Sequence, residues 1–170
     1  TGDAYVYLSD QHTTLTEPVL VIEGFDLDNS MNWDELYALL NREQLLENLR
    51  SDGFDAVVLN FTDATDYIQR NAFVAVETIA QIQQAIPTGR TIAVAGASMG
   101  GLVGRYALSY METYGPPHAA RSFISFDSPQ EGADIPLGMQ YWLWFFAHQS
   151  AEAAAQLPAL DSPAARQLLV

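Results

Sequence analysis

The sequence predicts an α/β fold, a mostly parallel β-sheet flanked by helices, and three observations carry that reading. Short apolar runs alternate with longer stretches of 3.6-residue apolar periodicity, the pattern of βαβ units. Two of the runs, 18–23 and 55–61, are almost entirely apolar, as strands covered on both faces are. The chemically distinctive residues each follow a strand: Gly24, Phe25 and Asp26 after the second, Asp63 and Asp66 after the third, Ser98 after the fourth, Asp127 after the fifth. Parallel sheets hold their ligands at these carboxyl ends.

Taken in order, "AYVYL" (4–8) predicts a first strand and "PVLVIE" (18–23) a second. Helix follows over 33–50. Asn32 with Glu35, and Asn41 with Gln44, each resemble a capped start, which allows two short helices in place of one. Gly53 stops the segment, and "DAVVLNF" (55–61) is the third strand. Over 68–86 a helix presents Ala72, Ala75, Val76, Ile79, Ile82 and Ile86 on one face, ended by Pro87 and Gly89. A short strand over 91–95 leads into a helix over 99–114 whose apolar face is Met99, Leu102, Val103, Tyr106, Ala107 and Tyr110. A Gly115-Pro116-Pro117 turn precedes a strand "RSFISF" (121–126). After Pro136 the alternation ceases. "LGMQYWLWFFA" reads either as a buried core helix or as a mobile lid presenting apolar surface. The alanine-rich stretch behind it reads as helix broken at Pro158 and Pro163.

Ser98 sits where the period changes from strand to helix. Gly96 and Gly100, two residues to either side, let the helix close on the strand while the serine projects outward. Gly96-Ala97-Ser98-Met99-Gly100 is the G-x-S-x-G pattern of a nucleophile elbow, and it stands in the strand–turn–helix context that the pattern requires.

Composition removes several classes. The chain has 170 residues, 49% of them hydrophobic and only 16% charged, enough to bury a core in one domain or part of one. Its net charge of −14 repels nucleic acid and anionic membranes. With no cysteine there is no disulfide framework or thiol chemistry, and no apolar run approaches the roughly 18 residues of a transmembrane span. The opening "TGDAYVYLSD" has neither the basic start nor the apolar run of a signal peptide and reads as an interior segment of a longer chain.

Over about 18–136 the chain resembles the α/β-hydrolase superfamily on its lipase and esterase side. The resemblance rests on the elbow at Ser98, on "VIEGFD" and on "SFDSPQEGADIP"; together they look most like lipase-like domains of secreted bacterial proteins. It implies a serine hydrolase of carboxylic esters acting on a small-molecule or lipid-like substrate, with no metal or organic cofactor, in a secreted or extracytoplasmic setting. The oxyanion donors it implies are the backbone N–H groups of Met99, just after the nucleophile, and Phe25, in the loop after the upstream strand. The family often has His-Gly-x there; this sequence has Glu23-Gly24-Phe25, a departure of little expected consequence because a backbone group is the donor.

The base and the acid are the gap. Of three histidines, His12 precedes the site-building strands and His118 lies at the amino end of a strand. Ser98, Asp127 and His148 keep the family order of serine, acid and histidine, but no strand is predicted between Asp127 and His148. His148 therefore reads as a solvated residue ending a covering helix. Asp127 reads as a triad acid or as the holder of the Asp127-Ser128-Pro129 turn, the second favoured. The expectation is that 1–136 is the N-terminal part of a hydrolase domain and 137–170 a helical lid. The C-terminal strands, acid and base then lie beyond Val170. Amide or thioester cleavage, or a non-catalytic binding or structural domain of the same fold, are the alternatives.

Overall fold

A computed structural model describes residues 1–27 and 29–169. Strands β1 (Gly2–Tyr7), β2 (Pro18–Ile22), β3 (Asp55–Phe61), β4 (Ile92–Ala97) and β5 (Ala120–Phe126) form one sheet in the order β1-β3-β2-β4-β5. The last four are parallel, and β1 lies antiparallel on the outer edge of β3. Helices α1 (Trp33–Leu40) and α2 (Leu45–Ser51) connect β2 to β3, α3 (Ile68–Ala85) connects β3 to β4, and α4 (Met99–Tyr114) connects β4 to β5. Three more, α5 (Leu137–Phe146), α6 (Ala151–Leu160) and α7 (Pro163–Leu168), follow β5. The architecture is the mostly parallel α/β sheet that the sequence predicts.

Alternation decides what each face of the sheet buries. Leu20, Ile22, Val57, Leu59, Ile92 and Val94 join the inner faces of α3 and α4 in one core. On the opposite face Ala56 and Val58 are fully buried, and Trp33 of α1 stacks on Tyr7 with ring centroids 4.6 Å apart. The chain turns from β2 outward to β3, then crosses back to place β4 on the other side of β2. The carboxyl ends of β2 and β4 therefore flank the crevice where the strand order reverses, the place in such sheets where ligands bind.

Four local readings are corrected. Asn32 and Glu35 do form a capping box on α1, but Asn41 and Gln44 do not: Asn41 Oδ1 instead accepts from the Leu46 and Glu47 amides, across a 3₁₀ turn in which Glu43 and Gln44 have positive φ. Pro158 does not break its helix. It lies inside α6, which continues to Leu160, whereas Pro163 begins α7. The buried stripe of α4 is rotated from the predicted one: Gly100, Gly101 and Gly104 face the sheet with Met99, Val103 and Ala107, while Tyr106 is exposed and packs edge-on against Phe73. The aromatic run is not a buried core helix. No residue of α5 is buried, and Tyr141, Trp142, Trp144 and Phe145 are all more than half exposed.

At the amino end of the sheet, fully buried Asp55 gathers the β1–β2 loop. Its Oδ1 accepts from the Ser9 amide at 2.8 Å and lies 2.9 Å from His12 Nδ1; its Oδ2 accepts from the Thr16 and Glu17 amides at 2.6 and 2.9 Å. Burial pushes this carboxyl up, but four hydrogen bonds outweigh it and hold it below the usual carboxylate range. Asp55→Asn turns an amide NH₂ toward N–H donors and is expected to cost about 2–4 kcal/mol in urea denaturation at pH 7. Because the folded carboxyl is depressed, its contribution is present above the ordinary aspartate value and lost on acidification. The difference from wild type therefore shrinks as the pH falls below about 4.

Candidate active site

β4 ends at Ala97 and α4 begins at Met99, so Ser98 alone makes the turn. Its φ of 53° with ψ of −132° lies outside the regions open to L-residues, a conformation that costs roughly 1–3 kcal/mol and persists only where the surroundings impose it. Here they do. The Ser98 N–H donates to the Phe126 carbonyl at 3.0 Å, and the Ser98 carbonyl accepts from Gly101 N–H at 3.1 Å. The first turn of α4 is pressed against the end of β2, where a Cβ on Gly100 would come within 2.5 Å of the Glu23 carbonyl oxygen and overlap that of Ile22. Those are main-chain atoms and cannot swing aside.

The loop leaving β2 faces this turn. A Cβ on Gly24 would lie 3.4 Å from Ser98 Cβ and 3.9 Å from Ser98 Oγ, so the Gly24–Phe25 segment runs directly past the hydroxyl. Beyond it, Asp26 Oδ2 accepts from the Met31 amide at 2.9 Å, and Asn29 Oδ1 accepts from the Ala64 amide at 2.6 Å, pinning the loop to the carboxyl end of β3. Ser98 and Phe25 share an apolar cavity of about 180 Å³ with Leu27, Ile135, Leu160 and Leu168 among its walls. The α7 wall is tied down by Ala133 N–H to the Leu168 carbonyl at 2.5 Å and Ala164 N–H to the Thr65 carbonyl at 3.0 Å. A larger, open groove lies elsewhere, along α3 and α4 near Tyr106, and does not include Ser98.

Of the three expected site residues, Phe25 and Ser98 come together in the cavity and Met99 follows Ser98 as the first residue of α4. Among the described residues, Ser98 Oγ has no hydrogen-bond partner, and neither the Phe25 nor the Met99 amide donates to an acceptor. No histidine is bonded to the serine. His12 is held by Asp55 at the far end of the sheet, His118 accepts from the Ala120 amide before β5, and His148 lies exposed against the edge of Trp144. Asp127 is exposed with φ of 45°; it does not hold its turn, which is closed by Ser128 Oγ donating to the Phe126 carbonyl at 3.2 Å. Asp63 is structural: the Thr65 hydroxyl and amide donate to its carboxyl and hold it below the usual range.

Two features escaped the sequence reading. Glu23 is 3% exposed, and its Oε2 accepts from the Phe61 amide at 2.6 Å. Burial pushes its carboxyl up to about 7; the Phe61 hydrogen bond opposes this and the neighbouring Asp26 charge adds to it. The signal was there, a carboxylate placed directly after the apolar run of β2. The cavity wall made by α7 had no such signal, since it depends on a chain reversal after Pro136.

No protein-family model and no curated protein matches the sequence. Solved structures do match the fold. Est1E from Butyrivibrio proteoclasticus superposes with a TM-score of 0.52 at 18% identity over 75% of this chain and 46% of that one. Candida antarctica lipase A in its closed state gives 0.54 at 12% identity, over 84% and 36%. A putative α/β-hydrolase from Agrobacterium tumefaciens gives 0.51 at 14%, over 80% and 59%. The sheet and its helices are thus an α/β-hydrolase fold, and the chain spans less than two thirds of the length of each of these structures.

The packing separates two glycine substitutions. Gly100→Ala forces a methyl into the carbonyls of β2 and is expected to cost about 3 kcal/mol or more by urea denaturation. At Gly24 the nearest atom to an added Cβ is the Ala97 carbonyl oxygen at 3.3 Å, so Gly24→Ala should stay within about 1 kcal/mol of wild type.

Proposed function

We propose that this chain of α/β-hydrolase fold carries the nucleophile and oxyanion side of a serine hydrolase of carboxylic esters. The observation that supports it best is Ser98 itself: a strained residue on a strand–helix turn, its hydroxyl unpartnered, opening onto an apolar cavity at the crevice where the strand order reverses. Strain of that kind clusters where it is used. Ser98 Oγ attacks the ester carbonyl carbon while its proton passes to a base. The carbonyl π pair moves onto oxygen, to which the Phe25 and Met99 N–H groups donate hydrogen bonds, aided by the positive end of the α4 dipole. Collapse breaks the bond to the alcohol, which leaves with a proton, and water then releases the acid from the acyl-serine.

The apolar walls of the cavity suit the acyl chain of such an ester. The exposed aromatic helix α5 is then a lid element, with segment 137–170 closing over the crevice. The base is none of the three histidines, and the acid is not assigned to Asp127; both come from outside the groups placed around Ser98. That same want of a histidine favours one second reading, a binding domain that kept the fold without the chemistry.

Imidazole in solution can stand in for a missing base. Fluorophosphonate labelling of the chain, mapped by mass spectrometry, is expected at Ser98 and should quicken roughly tenfold or more in added imidazole, with no labelling of that peptide in Ser98→Ala. No labelling even with imidazole would favour the binding domain. Rapid labelling without imidazole, abolished by His148→Ala, would make His148 the base.

A further inference from the structure

In a parallel ladder a residue donates to the carbonyl of one neighbour and its own carbonyl accepts from the amide two residues further along that strand. Glu23 makes the first of these bonds, N–H to the Leu59 carbonyl at 3.1 Å. The second is different. The Phe61 amide donates to Glu23 Oε2 at 2.6 Å, to the side chain and not to the Glu23 carbonyl. That carbonyl lies against the first turn of α4, close to Gly100. From this substitution we propose that Glu23 is a positioning residue for the oxyanion loop. Its carboxyl takes over the hydrogen bond of its own main chain, and the 23–24 peptide is released from the sheet to send Gly24 and Phe25 past Ser98.

The role rests on the hydrolase reading and follows from hydrogen-bond arithmetic. Were the Glu23 carbonyl to continue the ladder, β2 would extend by a residue, and the Phe25 amide would follow the strand direction instead of entering the crevice. Without any acceptor, the Phe61 amide is left buried and unpaired. Both oxygens of a carboxyl, or the one of an amide, can serve; a methyl cannot. The protonation state matters as well. Among the described residues, the charged side chain acting on Glu23 is Asp26, while β3 offers it the Phe61 amide and α4 presents glycine at that point. With its carboxyl raised to about 7, Glu23 is neutral below that pH and charged above it, and the charge then opposes both Asp26 and an oxyanion at the next peptides.

Butylboronic acid, whose serine adduct carries a tetrahedral anionic boron, reports on the oxyanion site directly. Glu23→Ala is expected to bind it at least about tenfold more weakly than wild type while retaining a cooperative melt, and Glu23→Gln should recover most of that loss. Between pH 5.5 and 8.5, wild-type affinity should fall relative to Glu23→Gln with a midpoint near 7, and this ratio holds as a test even if Glu23→Ala does not fold. A folded Glu23→Ala that binds as wild type does, or a ratio flat with pH, overturns the proposal. If wild type does not bind the boronate, the hydrolase reading fails, and amide hydrogen exchange at Phe61 decides the clamp alone. Protection kept in wild type and Glu23→Gln but lost in Glu23→Ala supports it; equal exchange in all three overturns it.

Discussion

The close approach of the first turn of α4 to the carboxyl end of β2 is the contact on which the candidate site depends. Gly100 permits it by having no side chain to strike the carbonyls of Ile22 and Glu23. With helix and strand locked at that distance, one residue must reverse the chain between β4 and α4, and Ser98 accepts a backbone conformation that it would not adopt alone. The hydrogen bonds from Ser98 N–H to β5 and from Gly101 to the Ser98 carbonyl leave it no relaxed alternative. The strain is thus imposed by packing, and the exposure of the hydroxyl follows from the strain.

The same rim carries two more departures from easy backbone geometry. Asn29, Ser98 and Asp127 all have positive φ, and they follow β2, β4 and β5 respectively. Asn29 is held by the Ala64 amide, so the loop beyond Phe25 is braced against β3. The carboxyl edge of the sheet is therefore a rigid arrangement of tied loops, with α7 fastened across it, while the amino edge is anchored separately through Asp55. Against that rigidity stands the apolar surface that no described element covers: Ile124 and Phe126 on β5 and the aromatic face of α5.

Much of this was legible because it rests on local rules. The third strand and the elbow helix come from apolar runs and period changes, and the Ser98 turn from glycine spacing. The rotated stripe of α4 was hidden for a physical reason: a periodicity of apolar side chains cannot register glycine, and three glycines make the closest contact with the sheet. Tyr106 and Tyr110, counted toward the core, pack instead against Phe73 outside it. Glu23 was passed over because its importance lies in a hydrogen bond to a residue 38 positions away. The small role of Asp127 in its own turn was not legible, since Ser128 could serve there equally well.

The central claim is that packing holds Ser98 in a conformation foreign to residues with a side chain. Denaturation of Ser98→Gly and Ser98→Ala, compared under identical conditions, tests it most directly, because both remove the hydroxyl and only one restores backbone freedom. Glycine tolerates φ of 53° with ψ of −132° far better than alanine, and that relief exceeds the added flexibility of its unfolded chain. The account predicts that Ser98→Gly is the more stable by about 1–2 kcal/mol. Equal stability, or a more stable Ser98→Ala, would show that the turn is not strained and would contradict it.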